Sequence, residues 1–300
     1  MTDNTDPKIL LSDGELAESE TPKTERSTQR EEEERQYSSV IVKRVDESLR
    51  HPDDILERTI EEGQEQLNRS FLSLLISSAA ASMILCFTVM AVAVMMGITQ
   101  EVATSSAKFW VALVYPLGFI LTILSGTQLF TEHTATAVYP VLDKRAAFPA
   151  LLRLWATVIL GNLIGAVIGA GFLVAADNVI QAKESYITLG HHLTDLAARD
   201  LLISSLLAGW LMALGAWLLR SSSNTVAQIV CIFIVTFLIG LGGLHHSIAG
   251  SVEILVAAMV SDHFSLFEIV RFISLALVGN LIGGSVFVGA LNYTHIRRTQ

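Results

Sequence analysis

Six apolar stretches govern what this chain can become: residues 71–96, 109–138, 151–175, 201–219, 227–259 and 272–291. Crossing about 30 Å of hydrocarbon takes about 20 helical residues, and backbone in lipid must satisfy its own polar groups. The pattern therefore predicts an all-α integral membrane protein with six transmembrane helices. Composition agrees. Of 300 residues, 51% are hydrophobic and the mean hydropathy is +0.52, beyond the usual range for a soluble domain.

Charge divides the chain. Residues 1–70 hold 19 Asp/Glu against 10 Lys/Arg, so the whole formal net charge of −9 lies there. Residues 1–50, with an EEEE run at Glu31 to Glu34, are too polar to fold on a core and read as a disordered acidic cytoplasmic tail. Residues 51–70 open on Pro52, Asp53 and Asp54 and carry Leu56, Ile60 and Leu67, the signature of an amphipathic helix lying along the membrane face. Residues 71–298 form the six-span domain. The polar opening MTDNTDPKIL reads as no secretory signal. Lys144, Arg145, Arg153, Arg220, Arg297 and Arg298 fall on one side of the predicted spans. Lys108, Lys183, Arg199 and Arg271 fall on the other. That bias places both termini in the cytoplasm of a multi-pass protein of the plasma (inner) membrane.

The second and fifth stretches are too long for one span, and their centres are broken by LSGTQ and GLGGLHH. The breaks correspond. Gly126 to His133 aligns with Gly243 to Gly250 at a spacing of 117, while GNLIG occurs at Gly161–Gly165 and again at Gly279–Gly283, 118 residues on. Three spans per copy is an odd number, which predicts two inverted three-helix repeats with discontinuous helices meeting near the midplane. The glycines of Gly161-Asn162 and Gly279-Asn280 suit close helix packing. Gly126 and Gly243 suit the breaks. Half-helices starting near Gln128 and His246 would aim N–H groups and partial positive charge at one point, a setting for a small anion.

At these residues the chain resembles the formate/nitrite transporter family. Its first break, G-x-E-L-F-T-x-N, stands here as GTQLFTEH (Gly126–His133). Its second, G-F-E-H-S-I-A-N, stands as GLHHSIAG (Gly243–Gly250). LAGWLMALGAW (Leu207–Trp217) is similar to its fourth span and GNLIGG (Gly279–Gly284) to its sixth. The acidic tail and GSVEIL look like a divergent, YfdC-type branch. The resemblance implies an aquaporin-like fold, a homopentamer with a pore in each protomer, and passage of small monovalent anions of weak acids such as formate or nitrite. It places the central histidine on His246 and the first-loop residues on Leu129, Phe130 and Thr131, with Tyr115, Phe119 and Ile239 as gates. The chain departs from the family pattern at Gln128 and His245 in place of Glu, at His133 and Gly250 in place of Asn, and at Gly209 in place of a fourth-span Asn.

Chemistry sharpens the candidates. A charge at mid-membrane is costly, so a buried His246 is expected to be neutral, with one donor and one acceptor, and able to exchange a proton with a weak acid. Adjacent helical residues point about 100° apart, so His245 is expected to face loop backbone or a second wall. Thr131 either bonds the solute or back-bonds to its own helix. Glu132 and His133 read as a solvated ion pair. Glu253 reads as an interfacial residue; an ionised carboxylate in the pore would oppose anion entry. Cys86 and Cys231 read as small core residues. No catalytic triad, phosphate loop or metal-spaced cluster is present in the sequence, so no enzyme activity, no cofactor and no nucleic-acid partner is expected. The expected partners are small anions, the bilayer, further copies of the chain and an unidentified cytoplasmic partner of the tail. Two other functions fit the same pattern: a neutral small-solute pore, and a non-conducting membrane scaffold or sensor.

Overall fold

The computed structural model describes residues 52–298; the tail assigned to residues 1–50 lies outside them. Every regular element among the described residues is helical. The amphipathic α1 (Pro52–Asn68) precedes the first spans, formed by α2 (Phe71–Ile98), α3 (Thr104–Val114) and α4 (Pro116–Leu124). After the first break come α5 (Phe130–Thr136), α6 (Tyr139–Leu142), α7 (Phe148–Ala175), α8 (Asp177–Ile180) and α9 (Lys183–Thr194). The second half holds α10 (Ala198–Arg220), α11 (Thr225–Gly242), α12 (Ser247–Val260) and α13 (Leu266–Ile282). A π-helical stretch, Gly283–Ala290, leads into α14 (Leu291–Arg298).

Six helical segments are long and apolar enough to cross a membrane among the described residues, and α12 is a shorter apolar helix completing the fifth. Both broken stretches therefore break as expected. The second carries an additional discontinuity. Pro116 lacks an N–H, so the α3 ladder ends at Tyr115, and α4 restarts with proline in its first turn. Thr88 on α2 donates to the Tyr115 carbonyl at 3.2 Å, tying α2 to the joint between α3 and α4.

Packing follows the small residues. α2 lies along α7, and α10 along α13. A Cβ on Gly161 would meet the Leu75 carbonyl at 2.7 Å, and one on Gly165 would meet the Ala79 backbone. A Cβ on Gly279 would meet the Leu202 carbonyl at 2.8 Å, and one on Gly283 would meet the backbones of Leu206 and Trp210. The two GNLIG copies thus occupy matching close approaches. Large side chains such as Phe71, Leu72, Phe172 and Phe267 remain exposed on the outside of the bundle, as a lipid-facing surface requires.

The apolar stripe of α1 lies against the protein. Leu56 and Ile60 cluster with Ala135, Tyr139, Ala213, Val288 and Ile296, and Gly63 fits against Pro140 and the Thr136 carbonyl. Polar anchors fix the helix. Arg145 pairs with Glu57 at 2.6 Å and Arg220 with Glu62 at 2.8 Å. Arg153 donates to the Leu67 carbonyl at 2.5 Å, and Gln128 donates to Gln66 at 2.7 Å. Burial pushes the Glu62 carboxyl up, but Arg220 and Arg58 outweigh it and hold the group below its ordinary 4.5. Its contribution is therefore complete above pH 4.5 and is lost as pH falls through the lower folded-state value. In detergent, Glu62→Gln is expected to be less stable than wild type by about 0.5–1 kcal/mol at neutral pH, screened by solvent at this partly exposed site. The difference should disappear in strong acid. Equal stability at neutral pH would show that the pair anchors nothing.

Candidate functional site

Each break is held by the same three parts. In the first, Gly126 turns the chain at φ 69° after α4. The Gln128 N–H donates to Ser77 Oγ at 3.2 Å. Asn162 accepts the Phe130 N–H at 3.0 Å and donates to the carbonyls of Gln128 at 3.0 Å and Ser78 at 2.7 Å. In the second, Gly243 turns the chain at φ 61° after α11. The His245 N–H donates to Ser204 Oγ at 3.2 Å. Asn280 accepts the Ser247 N–H at 2.8 Å and donates to the carbonyls of His245 at 3.0 Å and Ser205 at 2.6 Å. Breaking a helix inside a bilayer orphans backbone groups that water cannot reach. A buried asparagine offers two donors and an acceptor in one plane and satisfies three of them at once.

The two asparagines, read from sequence as packing residues, are therefore the braces of the breaks. Ser77 and Ser204 were missed, although a signal exists. Leu74-Leu75-Ile76-Ser77-Ser78 recurs as Leu201-Leu202-Ile203-Ser204-Ser205, 127 residues on. The different spacing from the 117 and 118 of the other motifs hides it from a search at one offset.

The breaks bring His246 and Thr131 together. His246 is the N-cap of α12, its Nδ1 accepting the Ala249 N–H at 3.1 Å. That bond assigns the ring proton to Nε2, which therefore donates to Thr131 Oγ1 at 2.6 Å. Thr131 neither back-bonds to its helix nor stands free; it keeps its own O–H for a further acceptor. Both side chains are buried, 1% exposed. The Phe119 ring meets the His246 ring edge-on, with centroids 4.9 Å apart, and Tyr115 lies 5.2 Å from Phe119. Leu129 and Phe130 are buried in the same core.

A cavity of about 550 Å³ runs from the α2–α3 loop to His246, and Thr131, Leu129, Phe130 and Gln128 lie behind its wall and do not line it. Lys108 and His192 stand in its upper wall, Tyr115 and Ile239 lower down, and His245, His246, Gly250 and Glu253 line it as well. Of the three expected gates, Tyr115 and Ile239 border the cavity, while Phe119 sits behind, on His246. His245 and His246 share one cavity, contrary to the helical-wheel expectation, because neither is inside a helix. Both precede Ser247, and His246 has extended dihedrals of −85° and 122°. His245 Nδ1 lies 2.7 Å from Ser204 Oγ. Glu253, expected at an interface, borders the cavity and is 7% exposed. His133 does not pair with Glu132; its Nδ1–H donates to the Leu129 carbonyl at 3.0 Å. Cys86 is a buried free thiol and Cys231 a half-buried one.

A bundle of membrane-length helices, two of them interrupted and meeting at a buried histidine–threonine pair beneath a cavity, defines a pore-type membrane protein. The formate/nitrite transporter family model matches residues 53–294, and the chain belongs to that family. It is 32% identical to the inner membrane protein YfdC of Escherichia coli over 249 residues, covering 81% of this chain and 78% of that one. It is 29% identical to a probable formate transporter of Methanothermobacter thermautotrophicus, covering 61% of this chain and 74% of that one. Among solved structures, an FNT family ion channel superposes with a TM-score of 0.72 at 20% identity, over 81% of this chain and 99% of that chain. A pentameric formate channel with formate bound superposes with a TM-score of 0.65 at 19% identity, over 76% and 98%.

The departures from the family pattern have local reasons. Gln128, in place of Glu, uses its amide to donate to Gln66. Gly209, in place of Asn, lies directly on the main chain of Asn280, and Gly250, in place of Asn, lies under the Phe272 ring.

Proposed function

We propose that the chain conducts small monovalent anions of weak acids, formate or nitrite among them, through a pathway in each protomer of a homopentamer in the inner membrane. Both termini would be cytoplasmic and the two halves inverted. The observation that carries this is the His246–Thr131 hydrogen bond, which joins the two breaks where His246 lines the inner end of the cavity. With its ring proton on Nε2 and given to Thr131, His246 is held neutral at the cavity wall, its orientation fixed from behind by the Thr131 hydroxyl. Lys108 in the wall of the cavity and the uncharged His246 at its inner end suit an anion. The family relationship and the formate-binding structural neighbour support the same class of solute. Proton exchange at His246 itself would have to displace the Ala249 N–H from Nδ1, so it is coupled to the cap of α12.

The test is formate flux into proteoliposomes at about pH 5.5 and about pH 7.5, either side of the ordinary histidine range. Asparagine at position 246 can still cap α12 but loses the donor to Thr131. His246→Asn is therefore expected to lower flux about tenfold, the value of one hydrogen bond. Wild-type flux no greater than that of protein-free vesicles would overturn the anion reading and turn attention to neutral solutes.

A further inference from the structure

Glu253 lies on α12 seven residues beyond His246, two helical turns toward the mouth of the cavity. Its side chain is nearly fully buried and borders the space a solute must cross. None of the ion pairs among the described residues includes it, and no described hydrogen bond reaches its carboxyl. The titratable and charged groups that share the cavity are Lys108 on α3, Tyr115 at the α3–α4 joint, His192 on α9, and His245 and His246 at the second break. The repeat does not require a carboxyl here. The residue 117 positions earlier is Thr136, which back-bonds to the Glu132 carbonyl, while the neighbouring pair Thr134 and Ser251 bond their own helices alike, to Phe130 and Ser247. The second half thus departs from the first by placing an unpartnered acid on the pathway. An ionised carboxylate there would repel an anion and would lack the cation or N–H groups that make buried charge tolerable. The neutral acid meets neither objection.

Resting on the anion reading above, we propose that Glu253 is the proton donor of the pathway, protonating the weak-acid anion in the cavity so that it passes the constriction as the neutral acid. The Glu253 O–H bond breaks and the proton joins a carboxylate oxygen of the incoming anion. The Glu253 carboxylate left behind takes a proton from hydronium at the open mouth. One proton then travels with each anion, and net movement carries no charge.

The experiment is formate uptake into proteoliposomes with an internal pH dye, under membrane voltages set with potassium and valinomycin. Wild type, Glu253→Gln and Glu253→Asp are compared after matched elution of the purified oligomers. Wild-type uptake should acidify the interior and ignore the voltage. Glu253→Gln should lose coupled uptake by about tenfold or more, as removal of a positioned acid does, with any residual flux becoming voltage-sensitive, and Glu253→Asp should restore coupling. Wild-type formate flux matched by Glu253→Gln in rate, acidification and voltage response would overturn the role of Glu253 alone. Wild-type flux equal to protein-free vesicles would overturn the transport reading and the donation step together. Infrared difference spectra of the wild-type oligomer provide a check that needs no variant to fold: absence of a protonated-carboxyl C=O band at neutral pH overturns the proposal.

Discussion

Replacing Asn280 or Asn162 by alanine should destabilise the protein by about 3–6 kcal/mol in detergent. Either change would also abolish transport. Each side chain is wholly buried and makes three hydrogen bonds to backbone groups. Removing it leaves one N–H and two carbonyls unsatisfied where water does not penetrate, at about 1–3 kcal/mol for each buried group left unpaired. Some of that is recovered by local relaxation, which brings the upper end of the range down to about 6 kcal/mol. The comparison with aspartate is informative. Asn280→Asp retains the acceptor for Ser247 N–H but turns its donor edge toward the Ser205 and His245 carbonyls as a second acceptor, so it should be no better than alanine. Unfolding midpoints for both asparagine sites decide the matter. A loss below about 1 kcal/mol at each would mean that the breaks are supported by packing and not by the braces.

Leucine at Gly165 or Gly283 should prevent the native bundle from assembling. At both positions the atoms facing the added Cβ are main chain, those of Ala79 in one copy and of Leu206 and Trp210 in the other. A side chain can turn aside from an overpacked methyl group, but a helix backbone cannot, so two spans must separate. Overpacking in a well-filled core costs about 1–3 kcal/mol when neighbours can give; here they cannot, and separation also stretches the Asn162 and Asn280 braces one helical turn away. Solubilised Gly165→Leu and Gly283→Leu are expected to elute as aggregates. Leucine at Gly171, which has open space around it, is the control and should elute as wild type. Native elution of both mutants would show that the backbones can part without consequence.

Spans and breaks are legible in the sequence because both are local signals. Apolar length announces a crossing, and glycine and histidine amid apolar residues announce its interruption. The pairing of His246 with Thr131 is half legible. The aligned breaks bring both residues to one place, but the proton assignment depends on the α12 cap, which needs the dihedrals of His246. Glu253 and Ser204 are legible in kind and not in role. Whether a residue on α12 or α10 faces lipid, a neighbouring copy or a cavity depends on helix rotation, and an apolar helix exposed on several sides has almost no amphipathic signal to set it. The Tyr115–Pro116 joint has a plain sequence cause in the proline, but Pro within a membrane helix often only bends it. The π-helical stretch at Gly283 has no comparable sequence mark beyond its glycines.

The anchors of α1 also have a mechanical meaning. They are spread along its length: Glu57 near its start, Glu62 in the middle, Gln66 and the Leu67 carbonyl at its end. Tension applied to the chain ahead of Pro52 would load them in series and not together, as in peeling tape. The solvent-exposed Arg145 pair would yield first, the more buried Arg220 pair next, and the contacts of Gln66 with Gln128 and of the Leu67 carbonyl with Arg153 last. A pull from that side therefore spends its work on the two ion pairs before any load arrives at Gln66, whose partner Gln128 belongs to the first break, and the pathway is mechanically buffered from whatever the N-terminal chain is tethered to.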